Sequence, residues 1–141
     1  MQPVIVGVDR SDTARRAAQA AAEMAVALGA PLHLVSSVSR TRSMDMNVGG
    51  SDHWHDDWLT SANQFLAAMA GELPAPTVEH SVSDKDPATA LCEEAARLNA
   101  RMIVVGNRRV QGVSRVLGSI ASDVLRRAPC DVLIVNTTGD R

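Results

Sequence analysis

Val104-Val105-Gly106-Asn107-Arg108-Arg109-Val110-Gln111-Gly112-Val113-Ser114-Arg115-Val116-Leu117-Gly118-Ser119 is the stretch on which the reading of the chain turns. An apolar strand over residues 102–105 runs into a loop with glycines at 106 and 112, and then into a helix whose first turns carry Gly118 and Ser119. Strand, flexible loop and helix start form a layout that binds phosphate. Glycine lets backbone N–H groups approach a ligand closely, and the unpaired N–H groups and positive dipole end of a helix favour an anion. The same glycines also serve as plain turn residues, so spacing alone leaves an anion seat and a simple connection both open.

The 141 residues suit a single domain spanning 1–141, large enough to bury about two-thirds of its unfolded surface without disulfides or metals. The chain is 45% hydrophobic but only 2% aromatic, with no tyrosine, so the core must be built from Val, Leu, Ile and many alanines. Helices packed closely on a sheet meet that requirement. A net charge of −2 gives no general electrostatic reason to bind nucleic acid or an anionic membrane. The start, Met-Gln-Pro-Val-Ile-Val-Gly-Val-Asp, carries no basic leader, and no apolar run approaches the ~20 residues of a membrane helix, so a cytoplasmic chain is expected. Cys92 and Cys130 form no C-x-x-C pair and read as reduced packing residues.

Five apolar segments alternate with four helical patterns, the signature of a parallel sheet covered on both faces. Val4-Ile5-Val6-Gly7-Val8 is nearly continuous in apolar character and reads as a central strand. Ser11 or Asp12 caps the next helix, whose inward stripe is Ala14, Ala17, Ala18, Ala21, Met24, Ala25 and Leu28; Gly29 stops it. A second strand, Leu32-His33-Leu34-Val35-Ser36, precedes an aperiodic loop from Ser39 to Asp52. The second helix carries Trp58, Ala62, Phe65, Leu66 and Met69 on one face. Residues 77–82 alternate strictly, with Val78, His80 and Val82 on one side, as in a half-solvated edge strand. Asp86-Pro87 is a cap followed by proline at the first helical position, and Leu91, Cys92, Ala95 and Leu98 form the third helical stripe. The fourth shows Val113, Val116, Leu117, Ile120, Val124 and Leu125, with Arg126-Arg127 compensating the dipole at its end.

Right-handed crossovers and a polar third strand make 3-2-1-4-5 the simplest sheet order, an α/β fold with helices on both faces. The last strand, Val132-Leu133-Ile134-Val135, is then an edge as apolar as a central strand. Such an edge is normally hidden, and pairing two copies about a two-fold axis hides it, so a homodimer is predicted. In this order the ligand crevice opens at the carboxyl ends of strands one and four, where Val8-Asp9-Arg10-Ser11 and Gly106-Asn107-Arg108-Arg109 converge. His53 and His55, in Asp52-His53-Trp54-His55-Asp56-Asp57-Trp58, have no second cluster at ligand spacing, and no metal site is assigned to them.

The chain resembles the universal stress protein family. The resemblance rests on the valine-rich first strand ending in Asp9 and Ser11, the Asp86-Pro87 helix start, the Val104-Val105-Gly106 loop, Gly118-Ser119, and Ala128-Pro129-Cys130-Asp131-Val132-Leu133-Ile134-Val135. It implies an adenine nucleotide alpha hydrolase-like, Rossmann-like fold and a stress-response regulator acting as a homodimer. Nucleotide-binding members carry G-x2-G-x9-G-S/T in the fourth loop and bind ATP in the crevice. Carried over, Asp9 would meet the ribose or adenine side, Gly106 would pass beneath ribose and phosphates, Gly118 and Ser119 would hold the β and γ phosphates, and Ser37 would contact adenine through its backbone. Val8, Arg10, Ser11, Val105, Arg108, Arg109, Gly112 and Ile120 complete the implied site. Mg2+ would be shared by Asp9 and Ser119 through phosphate oxygens.

The chain departs from that pattern. Arg109 stands at the second motif glycine, eight residues rather than nine separate it from Gly118, Arg10 follows Asp9 where glycine is common, and Lys85 replaces another frequent glycine. The Arg109 guanidinium either bridges phosphate oxygens bidentately or fills the phosphate channel, with Gly112 supplying flexibility nearby. The P-loop lysine is absent, and no further carboxylate is placed for hydrolysis. Three readings therefore stand: an adenine-nucleotide-binding dimer, a nucleotide-free dimer working through protein contacts, and a slow ATPase.

Overall fold

β1, Val4–Gly7, is mostly β-branched and occupies the centre of the sheet, with Val4, Ile5 and Val6 all at 0% exposure. The computed structural model describes residues 1–37, 52–75, 77–107 and 117–137. Along them follow α1 (Asp12–Leu28), β2 (Leu32–Ser37), α2 (Asp52–Glu72), β3 (Val78–Ser83), α3 (Pro87–Leu98), β4 (Met102–Asn107), α4 (Ser119–Arg127) and β5 (Asp131–Asn136). All strand pairs are parallel and the order is β3-β2-β1-β4-β5, as the crossover argument predicts.

Side chains alternate across the sheet and divide the core in two. Val4, Val6, Leu32, Leu34 and Val104 meet α1 and α2 on one face; Ile5, Val35, Ile103 and Val105 meet α3 and α4 on the other. α1 presents alanine alone: Ala14, Ala17, Ala18, Ala21, Ala22 and Ala25 are its buried residues. Alanine has no side-chain rotamers to freeze and lets the helix axis approach the strands. The predicted stripe extends one turn too far. Leu28 is 40% exposed, because a 17-residue helix at ~1.5 Å per residue outruns a four-residue strand at ~3.3 Å.

The helix ends follow local chemistry. Of the two predicted caps for α1, Ser11 takes the role, its Oγ accepting the Ala14 N–H at 3.1 Å, and Gly29 closes the helix at φ +64°, a conformation that favours glycine. Asp86 accepts the Thr89 N–H at 3.1 Å with Pro87 in the first turn. The fourth helix differs from its predicted extent. Within the described residues it begins at Ser119 with Gly118 as N-cap, Leu117 lies before it, and Val113 and Val116 lie outside the described residues. Only Ala121 and Val124 of α4 are buried, while Leu117, Ile120 and Leu125 are 43%, 45% and 46% exposed. A nine-residue helix lying on one flank of the sheet buries a narrow line, and its other apolar residues face outward.

One polar side chain sits inside this apolar layer. His33 of β2 is 5% exposed, its Nε2 3.0 Å from Ser81 Oγ on β3 and 3.7 Å from Glu94 Oε1 on α3. Burial pushes its pKa below the ordinary 6.5, outweighing the opposing pull of Glu94 and Glu79; Arg97 and His80 act in the same direction as burial. The folded chain therefore takes up a proton at His33 less readily than the unfolded chain. This contribution is fully present above pH 6.5 and declines as pH falls toward the lower folded pKa. Urea titrations between pH 6.5 and about 5, above most carboxylate titration, are expected to show the native chain losing more stability than His33→Leu. Parallel curves for the two proteins would refute that assignment.

Candidate functional site

Topology brings the predicted loops to one rim. β1 and β4 are directly paired through Val6 and Val104, so Val8, just past the end of β1, comes level with Gly106 near the end of β4. β2 flanks β1 with Gly7 opposite Val35, which sets Ser37 on the same rim. Val8 is 5% exposed, its N–H donating to the Val35 carbonyl at 2.8 Å, so its backbone extends the ladder. Val105 is 4% exposed and belongs to the layer under α3 and α4. Val8 belongs to the opposite layer, under α1 and α2.

The β1–α1 turn is built by its own polar groups. Asp9 Oδ1 accepts the Ser11 N–H at 2.7 Å, an Asx-type turn that leaves Asp9 on the exposed rim, and Ser11 turns inward to cap α1. Arg10 reaches sideways to α2. Its guanidinium lies 4.7 Å from the Phe65 ring centroid and donates to Ser61 Oγ at 3.1 Å, a cation–π contact plus a hydrogen bond that joins the turn to that helix. Ser37 Oγ donates to the Lys85 carbonyl, tying the ends of β2 and β3 together. Lys85 Nζ in turn pairs with Glu93 at 2.7 Å, and that contact holds the exposed ammonium's pKa above its usual value. Hydrogen bonds from Thr89 lower the Asp86 carboxyl in the cap beside it.

Gly106 and Gly118 do different work. A Cβ at Gly106 would stand 2.9 Å from Thr137 Cγ2 and 3.3 Å from both Ala17 Cβ and Thr13 Cγ2. Glycine here lets β4 lie against α1 and the chain after β5. Around it, the Thr137 N–H donates to the Asn107 carbonyl at 3.2 Å, and Arg16 Nη1 donates to the Thr137 carbonyl at 3.1 Å. Gly118 has φ −64°, where any residue fits, and among the described residues a Cβ there would meet only Asn107 Oδ1 at 3.5 Å. Its N–H donates to that Oδ1 at 2.8 Å. α4 has no N-cap side-chain bond of its own. The Ser122 N–H donates to the Gly118 C=O at 3.0 Å, so the amides of Ser119, Ile120 and Ala121 precede the first bond within the helix and lie at the positive end of α4. Ser119 and Ile120 are both exposed there.

Of the predicted site residues, the structure gathers Val8, Asp9, Ser11, Ser37, Val105, Gly106, Gly118, Ser119 and Ile120 around this rim, while the Arg10 guanidinium is held on α2. Arg108, Arg109 and Gly112 lie outside the described residues. Sequence reading missed Asn107. An Asn directly after a strand-end glycine signals a side chain that bonds nearby backbone, but its partner across the loop leaves no local trace. It also missed Thr13, Arg16 and Thr137, which pack and bond behind Gly106. Cys92 and Cys130 are free thiols, and burial raises both pKa values, which leaves them protonated. Among the described residues no group of three or more His, Cys, Asp or Glu is placed to hold a metal, and no helix is long and apolar enough to cross a membrane.

Comparison with known proteins gives a consistent result. The sequence profile of the universal stress protein family matches residues 1–136. The chain is 32% identical to a universal stress protein of Mycobacterium tuberculosis over 144 residues, covering 96% of both proteins. It also matches another from that organism at 30% identity, but spans only half of that relative's length. Among solved structures, it is similar to a universal stress protein in complex with cAMP, at 31% identity, TM-score 0.66 and 97% and 98% coverage of the two chains. It is likewise similar to the universal stress protein from Archaeoglobus fulgidus in complex with dAMP, at 26% identity, TM-score 0.69 and 95% and 97% coverage.

The two rim glycines differ in a way that stability measurements resolve. Gly106→Ala forces a Cβ against two stiff threonines and is expected to cost about 1–3 kcal/mol. Gly118→Ala is expected to change stability by less than about 1 kcal/mol, since the weaker cap and the reduced unfolded-state entropy oppose each other. Chemical denaturation of both variants checks this; equal costs would show that the rim glycines are interchangeable.

Proposed function

The chain belongs to the universal stress protein family, and from that premise we propose that it binds ATP or a related adenine nucleotide at the carboxyl ends of β1 and β4. The observation that carries the reading is the open amide end of α4 at the parallel switch point, in a chain whose relatives at 31% and 26% identity are described in complex with cAMP and dAMP. Those two ligands share an adenine, a sugar and one phosphate, and the rim offers a counterpart to each part. In this reading Ser37 would meet the adenine, Asp9 the ribose or adenine side, and Gly118 and Ser119 the phosphates, with Val8 and Ile120 beside them. Mg2+ arriving with a triphosphate would find hard oxygen donors in the exposed Asp9 carboxylate and the Ser119 hydroxyl, the donor type that this ion takes. Cellular action follows from what the bound and empty forms recognise, as a stress-response regulator.

One observation favours the nucleotide-free alternative. Packing alone accounts for Gly106, and Asn107 already engages the Gly118 amide, so two motif glycines have explanations that need no ligand. Calorimetric titration with ATP and Mg2+, AMP and cAMP separates the readings. Heat and a rise in melting temperature are expected for at least one of them, whereas silence at millimolar concentrations refutes nucleotide binding. Gly118→Val should keep the fold, since φ −64° suits valine, yet lower affinity at least about tenfold by crowding the phosphate.

The same reading extends to assembly. Among the described residues β5 pairs only with β4, its Val132, Leu133 and Ile134 are half-buried, and Leu125 of α4 stands 46% exposed. A second copy paired along β5 would cover this apolar margin. Light scattering is expected to give twice the 15.0 kDa chain mass, and a stable monomer at micromolar concentration would remove the proposal.

A further inference from the structure

The nucleotide reading supplies the premise for an inference about Arg10, which stands between the two polar residues that build the β1–α1 turn. Asp9 commits Oδ1 to the Ser11 N–H at 2.7 Å, and among the described residues its other oxygen makes no hydrogen bond or ion pair. A guanidinium one residue away is the nearest cation along the chain for that oxygen, and its forked donors match a carboxylate. Arg10 turns elsewhere. Its Cζ lies 4.7 Å from the Phe65 ring centroid, and its Nη2 donates to Ser61 Oγ at 3.1 Å. Ser61 and Phe65 are four apart on α2 and so share one helix face, where two neutral groups form a two-point dock for a charged side chain.

We propose that α2 parks Arg10: the dock at Ser61 and Phe65 withholds the guanidinium from Asp9 and keeps that exposed carboxylate open for the ribose or adenine side of a nucleotide. Competition sets the size of the effect. An undocked guanidinium beside Asp9 makes an exposed ion pair, and a ligand hydroxyl must then displace it to reach the carboxylate. Each dock contact is weak alone, one exposed cation–π contact and one neutral hydrogen bond. Both act on a single side chain, however, and together they outweigh a pair of that kind. Ser61 and Phe65 are thus positioning residues, acting on the ligand through Arg10 and Asp9 from a helix outside the crevice.

Titration with ATP and Mg2+ of the native chain, of the double variant Ser61→Ala with Phe65→Leu, and of the triple variant that adds Arg10→Gln tests this. Alanine suits a helix and leucine keeps an apolar group at the half-buried Phe65 position, so the undocked protein should remain folded. Undocking is expected to weaken binding about threefold, the weight of an exposed ion pair, with the deficit shrinking as salt is added. Arg10→Gln then removes the freed charge and is expected to recover most of that loss. A merely structural part for Ser61 and Phe65 would leave the triple variant as weak as the double one. Should the double variant fail to fold, Ser61→Ala with and without Arg10→Gln decides by the same recovery. Native-like affinity in the undocked protein, tighter binding by it, or no recovery on adding Arg10→Gln overturns the inference and leaves the nucleotide reading standing. Failure of the native chain to bind overturns the nucleotide reading, and the inference with it.

Discussion

The depth at which α1 sits on the sheet governs the geometry of everything at the carboxyl rim. Six alanines form its buried face, and Gly106 meets it from β4 with no side chain, Ala17 and Thr13 standing where a Cβ would go. Larger residues on either surface would lift the helix, and with it the Ser11 cap and the Asp9 turn that precede it. The strand supplies the same economy at its far side, where Thr137 presses on Gly106 and Arg16 holds the Thr137 carbonyl. The rim is therefore set by close backbone packing, and small residues are the means.

Much of this architecture was legible in the chain. Nearly continuous apolar strands, the strict alternation from Thr77 to Val82 and the handedness of crossovers suffice to order the sheet, and that order by itself brings the β1 and β4 ends together. The extent of α4 was not legible. Apolar spacing marks Leu117, Ile120 and Leu125 as core, yet their burial depends on how much sheet lies beneath a short flanking helix, which no local pattern encodes. The side-chain links of the site were equally hidden. Arg10 finds Phe65 and Ser61 on a distant helix, and Asn107 finds Gly118 across a loop whose closure depends on long-range packing. Arg109, which stands at the second glycine of the family motif, falls outside the described residues.

The two motif glycines carry unequal weight as evidence. Gly106 is required by its neighbours, so its presence says little about a ligand. Gly118 adopts a backbone conformation open to any residue and has ordinary contact distance around it. Among the described residues, backbone geometry and crowding give no reason for glycine there, which makes it the more informative of the pair. Its amide is the point at which capping of α4 and recognition of an anion would draw on the same hydrogen.

The fastening of Arg10 to α2 has a further consequence for optics. The chain has two tryptophans and no tyrosine, and both tryptophans, Trp54 and Trp58, belong to α2. Near-ultraviolet emission from this protein thus originates in the helix that the guanidinium of the β1–α1 turn grips at Ser61, within a turn of Trp58. Without any attached dye, the chain carries its own fluorescent gauge beside the element that would feel a disturbance at the rim.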